Sequence, residues 1–222
     1  MDRSSTPAGN RLDRRKARTR GALIDAACQL MATPKGMEAS ISEITELADV
    51  GLGSFYNHFT SKSELFDAAI GTTLELHGRL FDEVTAGLDD PAEVFAAGVR
   101  MSVRLRMSHP RMASMMSQVG FRYLDSADGL APRALRDLKV AVISGRLDVN
   151  DFAMALACTA GALLGCLHML EHNQTLDTNT AADDLAANLL RMFGLSKADA
   201  TEVSRRPLIE PVVPPGLGGS SD

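Results

Sequence analysis

The sequence contains no Trp and only two Tyr among its 222 residues, and it has few runs of β-branched residues. These residue types are enriched in β-strands, so their scarcity argues against a sheet-based fold. Ala, Leu and Met are abundant instead, and all three favour helix. The composition therefore predicts an all-α protein, long enough for a sizeable core or for two domains.

Cysteine is also scarce. Cys28, Cys158 and Cys166 lie in apolar patterns with helical spacing, which indicates buried thiols in a reducing compartment rather than a disulfide framework. The first ten residues contain no apolar run of the kind found in a signal peptide. We therefore expect a cytoplasmic protein.

Motifs that carry catalytic chemistry are missing as well. The sequence contains no Walker A loop, no dinucleotide-binding fingerprint and no nucleophile elbow. We therefore expect no cofactor and no enzymatic activity, and we assign no catalytic residue and no resident metal ion.

Charge is unevenly distributed along a chain whose net charge is −5. Residues 1–20 hold seven Lys or Arg against two Asp, whereas residues 63–222 hold 14 basic and 21 acidic residues. A basic segment on an acidic body suggests that one end of the chain meets a polyanion. A solvated, disordered start to the chain explains the same pattern equally well.

Apolar spacing divides the chain into about nine to ten helices in two domains. Residues 1–13 are interpreted as a disordered basic arm, and residues 14–62 as a domain of three helices. Residues 63–206 form a larger helical domain. Residues 207–222, which are rich in Pro and Gly, are interpreted as a disordered tail.

Three predicted helix starts have a Ser or Thr followed three residues later by an acidic residue, the pattern of a capping box. They are Ser40–Glu43, Thr180–Asp183 and Ser196–Asp199. After the second helix, Gly51 and Gly53 permit a tight turn. Two short helices joined by a glycine-containing turn, after a longer helix, form the pattern of a helix-turn-helix.

This pattern is most specific in residues 39–66, which read ASISEITELADVGLGSFYNHFTSKSELF. The segment resembles the N-terminal signature of the TetR family of bacterial transcriptional repressors. The matching features are the capped second helix, the Ala48-x-Val50 turn and the recognition segment Gly53-Ser54-Phe55-Tyr56-x-His58-Phe59. The resemblance covers about residues 14–70. It implies a homodimer with a DNA-binding domain and a larger domain for ligand binding and dimerisation.

The resemblance implies two kinds of contact with a palindromic double-stranded DNA operator. Some residues would face base edges in the major groove, and others would touch phosphates. Tyr56 and Lys62 match the family most directly. The predicted DNA-binding residues are Arg14, Arg18, Ser40, Ser42, Leu52, Gly53, Ser54, Tyr56, Asn57, His58 and Lys62.

The recognition segment departs from the family in its charge. Residues 49–59 contain no Lys or Arg, and Gly51–Leu52 stands where the family usually has a polar or basic pair. Affinity would then depend on the basic arm and on the shape of the DNA. This departure leaves open a helical interaction protein that keeps the fold without binding DNA.

Residues 152–170 contain only two plainly polar side chains, Thr159 and His168. A helix of this length could span a bilayer, but its flanks lack the aromatic and basic residues typical of a span. A helix that is apolar on all sides is otherwise buried, so we expect no membrane. By resemblance, this helix and the next form the dimer interface. The predicted interface residues are Ala157, Gly161, Gly165, Leu185, Leu189 and Phe193.

The same stretch closes on His168-x-x-Glu171-His172, which places three potential metal ligands on one helix face. The pattern H-x-x-E-H also occurs in a class of zinc peptidases. Those enzymes need a further ligand downstream, and only 50 residues remain. A helical metal-binding protein or enzyme is therefore the alternative function, and polar residues that end a helix at an interface are the simplest interpretation.

The larger domain would bind a small apolar effector if the resemblance holds. Methionines at helical spacing form adaptable apolar walls, although the same spacing is typical of ordinary core packing. Arg104 and His109 are polar candidates to orient a ligand. The predicted ligand-binding residues are Met101, Arg104, His109, Met115 and Phe121. Effector binding would favour a state unsuited to DNA and so release the repressor.

Overall fold

A computed structural model describes residues 9–121 and 130–208 of the chain. Within these two ranges every regular element is a helix, which confirms the all-α prediction. Ten α-helices and a short 3-10 helix, Gly36–Glu38, account for them. The α-helices are α1 (Gly9–Met31), α2 (Ile41–Leu47), α3 (Leu52–Tyr56), α4 (Lys62–Thr85), α5 (Pro91–Ser108), α6 (Pro110–Val119), α7 (Leu130–Ile143), α8 (Phe152–His172), α9 (Thr178–Met192) and α10 (Lys197–Ser204).

The chain divides between Thr72 and Thr73 into two compact units, which we call the N-terminal unit and the C-terminal unit. In the N-terminal unit, α1 packs against α2 and the 3-10 helix, and α2 packs against α3. Its core is small and apolar, because Leu23, Ile44, Phe55 and Phe59 are almost completely buried. The rings of Phe55 and Phe59 lie 6.0 Å apart, centroid to centroid.

The start of α1 differs from the prediction. Residues 9–13 were expected in a disordered arm, but α1 begins at Gly9. Arg11 and Leu12 have good helix propensities, and no Pro or Gly interrupts residues 10–13. These residues therefore extend the helix back to the nearest helix breakers in the sequence. Residues 1–8 and 209–222, which hold the rest of the predicted arm and most of the predicted tail, lie outside the described residues.

The C-terminal unit is organised around α5, which contacts α6, α7, α8, α9 and α10. Apolar side chains from these helices form its core, in which the rings of Phe95 and Phe193 meet edge to face at 5.5 Å. Arg206 fastens the end of α10 to the start of α5. Its Nη1 lies 3.1 Å from Asp90 Oδ2 and 2.7 Å from Glu93 Oε2.

Of the three predicted capping boxes, the structure shows Ser40–Glu43 in full, only the serine cap of Ser196–Asp199, and not Thr180–Asp183. The side chains of Ser40 and Ser196 cap α2 and α10 as expected. At α9 the N-cap is Asp177, whose carboxylate accepts a hydrogen bond from the Thr180 backbone N–H at 2.7 Å. The Thr180–Asp183 box is wrong because Asp177 supplies the cap and Asp183 pairs with arginines of α5 instead.

Candidate functional sites

The capping box at the start of α2 fixes the first residue of the helix-turn-helix. The Ser40 hydroxyl accepts a hydrogen bond from the Glu43 backbone N–H at 3.2 Å, and the Ser40 backbone N–H donates to Glu43 Oε2 at 2.7 Å. The hydrogen bonds that the Ser40 backbone N–H and the Ser40 hydroxyl donate to Glu43 Oε2, both at 2.7 Å, hold the pKa of Glu43 below its usual value. Ser40 is therefore a helix cap, and its exposed hydroxyl lies on the surface of the unit.

In the turn between α2 and α3, the residue with a left-handed backbone conformation is not one of the two glycines. Asp49 has φ 51°, whereas Gly51 is extended and Gly53 lies inside α3. Asp tolerates the left-handed region better than most residues, so neither glycine is needed for the turn. Around Gly51 and Gly53 an added Cβ would meet nothing within 4 Å, which leaves open space beside the recognition helix.

The recognition helix α3 is shorter than expected. It covers five residues, Leu52–Tyr56, and Asn57 is its C-cap. His58 therefore lies in the turn after α3 and not on the helix. Phe55 anchors α3 in the core, while Tyr56 is 60% exposed and Leu52 is 52% exposed.

All the predicted DNA-binding residues are at least partly accessible to solvent. Ser54, His58 and Lys62 are half-buried. The exposed ones are Arg14, Arg18, Ser40, Ser42, Leu52, Gly53, Tyr56 and Asn57. They come from α1, α2, α3 and the turns of the N-terminal unit, so the part of the chain that matches the helix-turn-helix pattern offers them outward.

Lys62 makes two hydrogen bonds within the N-terminal unit that the sequence does not predict. Its Nζ donates hydrogen bonds to the carbonyl oxygens of Met37 at 3.2 Å and Ala39 at 3.0 Å. It thereby ties the start of α4 to the residues before α2. An ammonium group has three donors, so these two hydrogen bonds do not use its full capacity.

None of the five predicted ligand-binding residues lines the apolar cavity described below, and their role in ligand binding stays a prediction. Met101 and Met115 are buried in the core, where Thr73 donates a hydrogen bond to the Met115 sulfur. Arg104 pairs with Asp183 at 2.9 Å. His109 is buried at the α5–α6 junction, where its Nδ1 meets the hydroxyl of Ser108 at 2.8 Å, and Phe121 is 59% exposed.

An apolar cavity of about 90 Å³ lies instead between α4, α5, α7 and α8, with Met116 and Gly120 at one side. Gly98, which also lines the cavity, accommodates the ring of Phe81, because a Cβ at this position would stand 2.4 Å from that ring. Polar side chains are few, namely Ser102, Asp137 and Thr159. The apolar walls are formed chiefly by Phe81, Phe95, Val99, Met116, Leu156, Leu163 and Leu164.

Asp137 is the charged residue of this cavity, and it is 6% exposed. Its Oδ1 accepts a hydrogen bond from Arg136 Nε at 2.8 Å. Its Oδ2 is buried and has no hydrogen-bond partner among the residues that the structure describes. Burial raises the pKa of Asp137, and the Arg136 guanidinium opposes that rise.

Sequence reasoning missed Asp137, although one signal marks it. It follows Ala134 by three residues and precedes Ala141 by four, so a carboxylate interrupts the apolar face of α7. A buried unpaired acceptor is unfavourable by about 1–3 kcal/mol. A carboxylate on an apolar helix face is therefore a stronger indicator of a binding site than methionine spacing.

The two hydroxyl groups that line the cavity, those of Ser102 and Thr159, already donate their hydrogen bonds to backbone carbonyls. Ser102 Oγ donates to the Gly98 carbonyl and Thr159 Oγ1 to the Ala155 carbonyl, both at 2.8 Å. His77 Nε2 lies 3.4 Å from Ser102 Oγ. His77 is completely buried, and burial lowers its pKa to about 3, so its ring is neutral. Among the residues that the structure describes, the polar side chains of the cavity therefore present hydrogen-bond acceptors rather than donors.

Helix α8 has two contrasting sides. Leu156, Thr159 and Leu163 line the cavity. Ala157, Gly161 and Gly165, which we call the small-residue stripe, are exposed or half-buried. By length and composition alone α8 could also span a membrane, and 22% of its apolar stretch is buried.

The other predicted interface residues lie on α9 or directly after it. Leu189 and Phe193 are 3% and 4% exposed, in the core between α5 and α9. A side chain buried in its own subunit has little surface left for a partner, so the place of these two residues in an interface stays a prediction. Leu185 is half-buried and packs against the same core. The spacing of Leu185, Leu189 and Phe193 therefore places them on the side of α9 and its C-cap that faces the core of the unit.

The three potential metal ligands at the end of α8 do come together. His168, Glu171 and His172 are exposed, and one ligand atom from each lies within 4.8 Å of the others. Glu171 also lines a groove beside Arg106. Within the described residues the group contains these three side chains, and the further acidic ligand that a zinc peptidase needs is not among them.

A capped helix-turn-helix and a larger helical unit with an apolar cavity are typical of a DNA-binding regulator of the one-component class. Comparison with known families agrees. Residues 23–69 match the bacterial regulatory proteins of the tetR family, and residues 90–206 match a tetracyclin repressor-like C-terminal domain. The chain therefore belongs to the TetR family of transcriptional regulators.

Solved structures support this assignment. RolR in complex with resorcinol is 34% identical, with a TM-score of 0.65 over 89% of this chain and 98% of RolR. A putative tetR family regulator from Shewanella sp. PV-4 is 16% identical, with a TM-score of 0.69 over 80% of this chain and 99% of its own. FadR from Bacillus subtilis in complex with stearoyl-CoA is 16% identical, with a TM-score of 0.60 over 77% and 97%. The last two show the fold alone. No curated protein matches the chain.

Proposed function

We propose that the protein is a homodimeric, cytoplasmic repressor that binds a palindromic operator and is released by a small hydroxylated aromatic compound. The observation that carries the proposal is the apolar cavity, in which the polar side chains of the described residues are placed to accept hydrogen bonds. Oδ2 of Asp137 has no described partner, and the Ser102 and Thr159 hydroxyls donate to backbone carbonyls. A ligand that fits this cavity has an apolar body and at least one O–H donor.

A phenol satisfies these requirements. Its ring packs against Phe81 and Phe95, and its hydroxyl donates to Asp137 Oδ2. This hydrogen bond to a buried carboxylate removes the penalty of an unpaired acceptor. RolR, 34% identical over most of the chain, is known in complex with resorcinol, a benzene ring with two hydroxyl groups. That complex supports the same chemical class of effector.

The effector is tested by calorimetry with resorcinol as the first probe of a panel of phenols. Asp137→Asn removes the charge while keeping the shape, and we expect it to weaken binding by about 10-fold or more, since hydrogen bonds to charged groups contribute about 1.5–3 kcal/mol. Asp184→Asn, at an exposed position on α9, is the control. Equal binding of 1,3-dimethoxybenzene, which lacks a donor, would contradict the proposal.

Dimerisation through α8 explains why so apolar a helix is left largely uncovered. The small-residue stripe allows a close approach between helices, because an added Cβ at Gly161 or Gly165 meets nothing within 4 Å of the same chain. Exposed Met154, at 61%, continues the apolar surface. An exposed apolar surface of this kind is typical of an interface, and a second copy of the chain covers it without a membrane.

Light scattering of the detergent-free protein tests this part of the proposal. The unchanged chain is expected to have the mass of a dimer. Gly161→Leu fills the stripe and is expected to shift the mass toward the monomer, whereas Ala198→Leu, at an exposed position on α10, leaves the dimer intact. A monomeric unchanged chain would contradict the homodimer.

One helix then joins the effector to the partner. α8 carries cavity residues on one side and the small-residue stripe on the other, so an effector that displaces α8 changes the surface presented to the second subunit. The response can be no larger than the difference in effector affinity between the two states. Release from DNA therefore requires that the effector bind the DNA-free state more tightly.

DNA recognition is tested with the operator selected from a random duplex pool, followed by fluorescence anisotropy at several salt concentrations. Two half-sites about 34–36 Å apart are expected for a dimer of this kind. Tyr56→Phe removes one exposed hydroxyl and weakens binding, and Arg14→Ala with Arg18→Ala lowers the salt dependence. The selected operator placed in a promoter then tests repression, because the protein should block transcription and the phenol should restore it.

A further inference from the structure

The end of α8 carries a cluster that the regulator proposed above does not use. His168, Glu171 and His172, which we call the His-Glu-His cluster, are exposed, and their ligand atoms lie within 4.8 Å of one another. The imidazole rings of His168 and His172 stand 4.2 Å apart, centroid to centroid. This arrangement follows from the helix, because residues four apart are neighbours on its surface.

One hydrogen bond prepares His172 as a ligand. Its Nδ1 lies 2.9 Å from the carbonyl oxygen of His168. A carbonyl oxygen only accepts, so Nδ1 carries the proton and the neutral ring keeps its lone pair on Nε2. Metal-binding histidines are commonly oriented in this way, with the second ring nitrogen donating to a carbonyl or carboxylate.

The ligand types indicate which ion fits. Two imidazoles and one carboxylate suit Zn²⁺, Co²⁺ or Ni²⁺ better than Mg²⁺ or Ca²⁺, which prefer sites made of oxygen. Three protein ligands leave a fourth tetrahedral position open. Imidazole nitrogens suit these ions better than a carboxylate oxygen does, so the two histidines carry most of the affinity.

We propose that the His-Glu-His cluster binds one divalent transition-metal ion per protomer, with His168 Nε2 or Nδ1, His172 Nε2 and a Glu171 oxygen as ligands. The site lies outside the apolar cavity and needs neither the effector nor DNA. The proposal therefore stands independently of the regulatory function.

The test uses the full chain, purified without a polyhistidine tag and treated with a chelator. Zn²⁺ is titrated by calorimetry, and Co²⁺ is followed by its visible absorption. We expect one ion per protomer and no saturable binding of Mg²⁺. His168→Ala and His172→Ala should each weaken Zn²⁺ binding by more than about 10-fold. Loss of a residue that only supports a metal ligand already weakens binding by about 10-fold, and loss of the ligand itself should cost more. Glu171→Gln should have a smaller effect.

Met169→Ala is the matched control, because Met169 is exposed on the same turn of α8 and offers no nitrogen ligand. Circular dichroism confirms that all variants keep their helix content. Zn²⁺ binding that persists in the double variant His168→Ala/His172→Ala would overturn the proposal, as would a thiolate charge-transfer band in the Co²⁺ spectrum. Absence of saturable Zn²⁺ binding in the unchanged chain would overturn it as well.

Discussion

The two units of this chain differ in where their polar side chains lie. In the N-terminal unit the core is apolar, and the polar groups that matter, such as Ser40 and Tyr56, lie at the surface. In the C-terminal unit, polar and titratable groups such as His77, Arg100 and Asp137 are buried within the helical core. A unit that reads DNA must present its polar groups outward, whereas the C-terminal unit, which we propose binds a small molecule, buries several of its own. We therefore expect a low pH, or a substitution that removes a charge, to destabilise the C-terminal unit more than the N-terminal unit.

The largest expected effect follows from His77. Its pKa falls from 6.5 to about 3 in the folded state, because the ring is buried and faces Arg133 and His109. Between these values the unfolded chain binds a proton that the folded chain does not, so the free energy of unfolding decreases as the pH falls. We expect a loss of about 3 kcal/mol between about pH 6.5 and pH 4.5, at about 1.4 kcal/mol per pKa unit.

Urea unfolding with segment-resolved hydrogen exchange measures this loss in each unit separately. The C-terminal unit should lose protection on acidification while the N-terminal unit keeps it. His77→Asn removes the titrating ring and should flatten the pH dependence, even if it lowers the stability at neutral pH. The comparison between the units breaks down if both lose protection in parallel over this range.

A smaller effect is expected at Asp90. The hydrogen bonds from Arg146, at 2.9 and 2.8 Å, are the main reason that the pKa of Asp90 falls from 3.8 to about 2. This stabilisation is present above about pH 4 and disappears as the pH falls toward 2. Asp90→Asn keeps an N-cap for α5 but loses the charge, and should destabilise the C-terminal unit by about 2 kcal/mol at neutral pH.

The neighbouring Asp89→Asn is the control for Asp90, because Asp89 is exposed. Chemical unfolding at neutral pH and again near pH 2 separates the two variants. A difference between Asp90→Asn and the unchanged chain that persists near pH 2 would show that packing and not charge is responsible.

The same contrast explains what could be predicted from the sequence. The helix-turn-helix is specified by short-range features, namely the Ser40–Glu43 box and the spacing of Ile44, Phe55 and Phe59, and these are visible along the chain. The additional hydrogen bonds of Lys62 to Met37 and Ala39 were not visible, because they join residues more than 20 positions apart.

The cavity could not be located from the sequence because it is assembled from several helices. Its lining runs from Phe81 to Leu164, and no local spacing brings these residues together. Met101 and Met115 suggested a ligand site, but methionine fills irregular cores as readily as pockets. Asp137 was detectable only as a carboxylate on an apolar helix face. Chain-distant contacts therefore limit prediction in the C-terminal unit more than in the N-terminal unit.

Ser40→Ala tests how far the N-terminal unit depends on its caps. Loss of the capping hydroxyl should destabilise this unit by about 1 kcal/mol. Ser40→Asp restores a cap but adds a negative charge near the predicted phosphate contact. Thermal unfolding and operator binding together distinguish the roles. If Ser40→Asp binds DNA as tightly as the unchanged chain, Ser40 is a cap alone and touches no phosphate.

Gly53→Ala is expected to have the smallest effect on stability and to separate stability from binding. Gly53 lies inside α3, and an added Cβ meets nothing within 4 Å. Alanine in a helix is more favourable than glycine by about 0.5–1 kcal/mol, so the N-terminal unit should become more stable. If the open space beside α3 is where the DNA backbone or base edges approach, the methyl group occupies it and weakens operator binding by about 10-fold, or ~1.4 kcal/mol.

Gly71→Ala is the matched control, since it too lies inside a helix of the N-terminal unit with nothing within 4 Å of an added Cβ. It should raise the stability by a similar amount and leave the operator affinity unchanged. Opposite signs for stability and binding at Gly53 alone would place the uncharged recognition helix against the DNA. Unchanged affinity in both variants would mean that recognition depends on other residues of the unit, with the arginines of α1 as the first to examine.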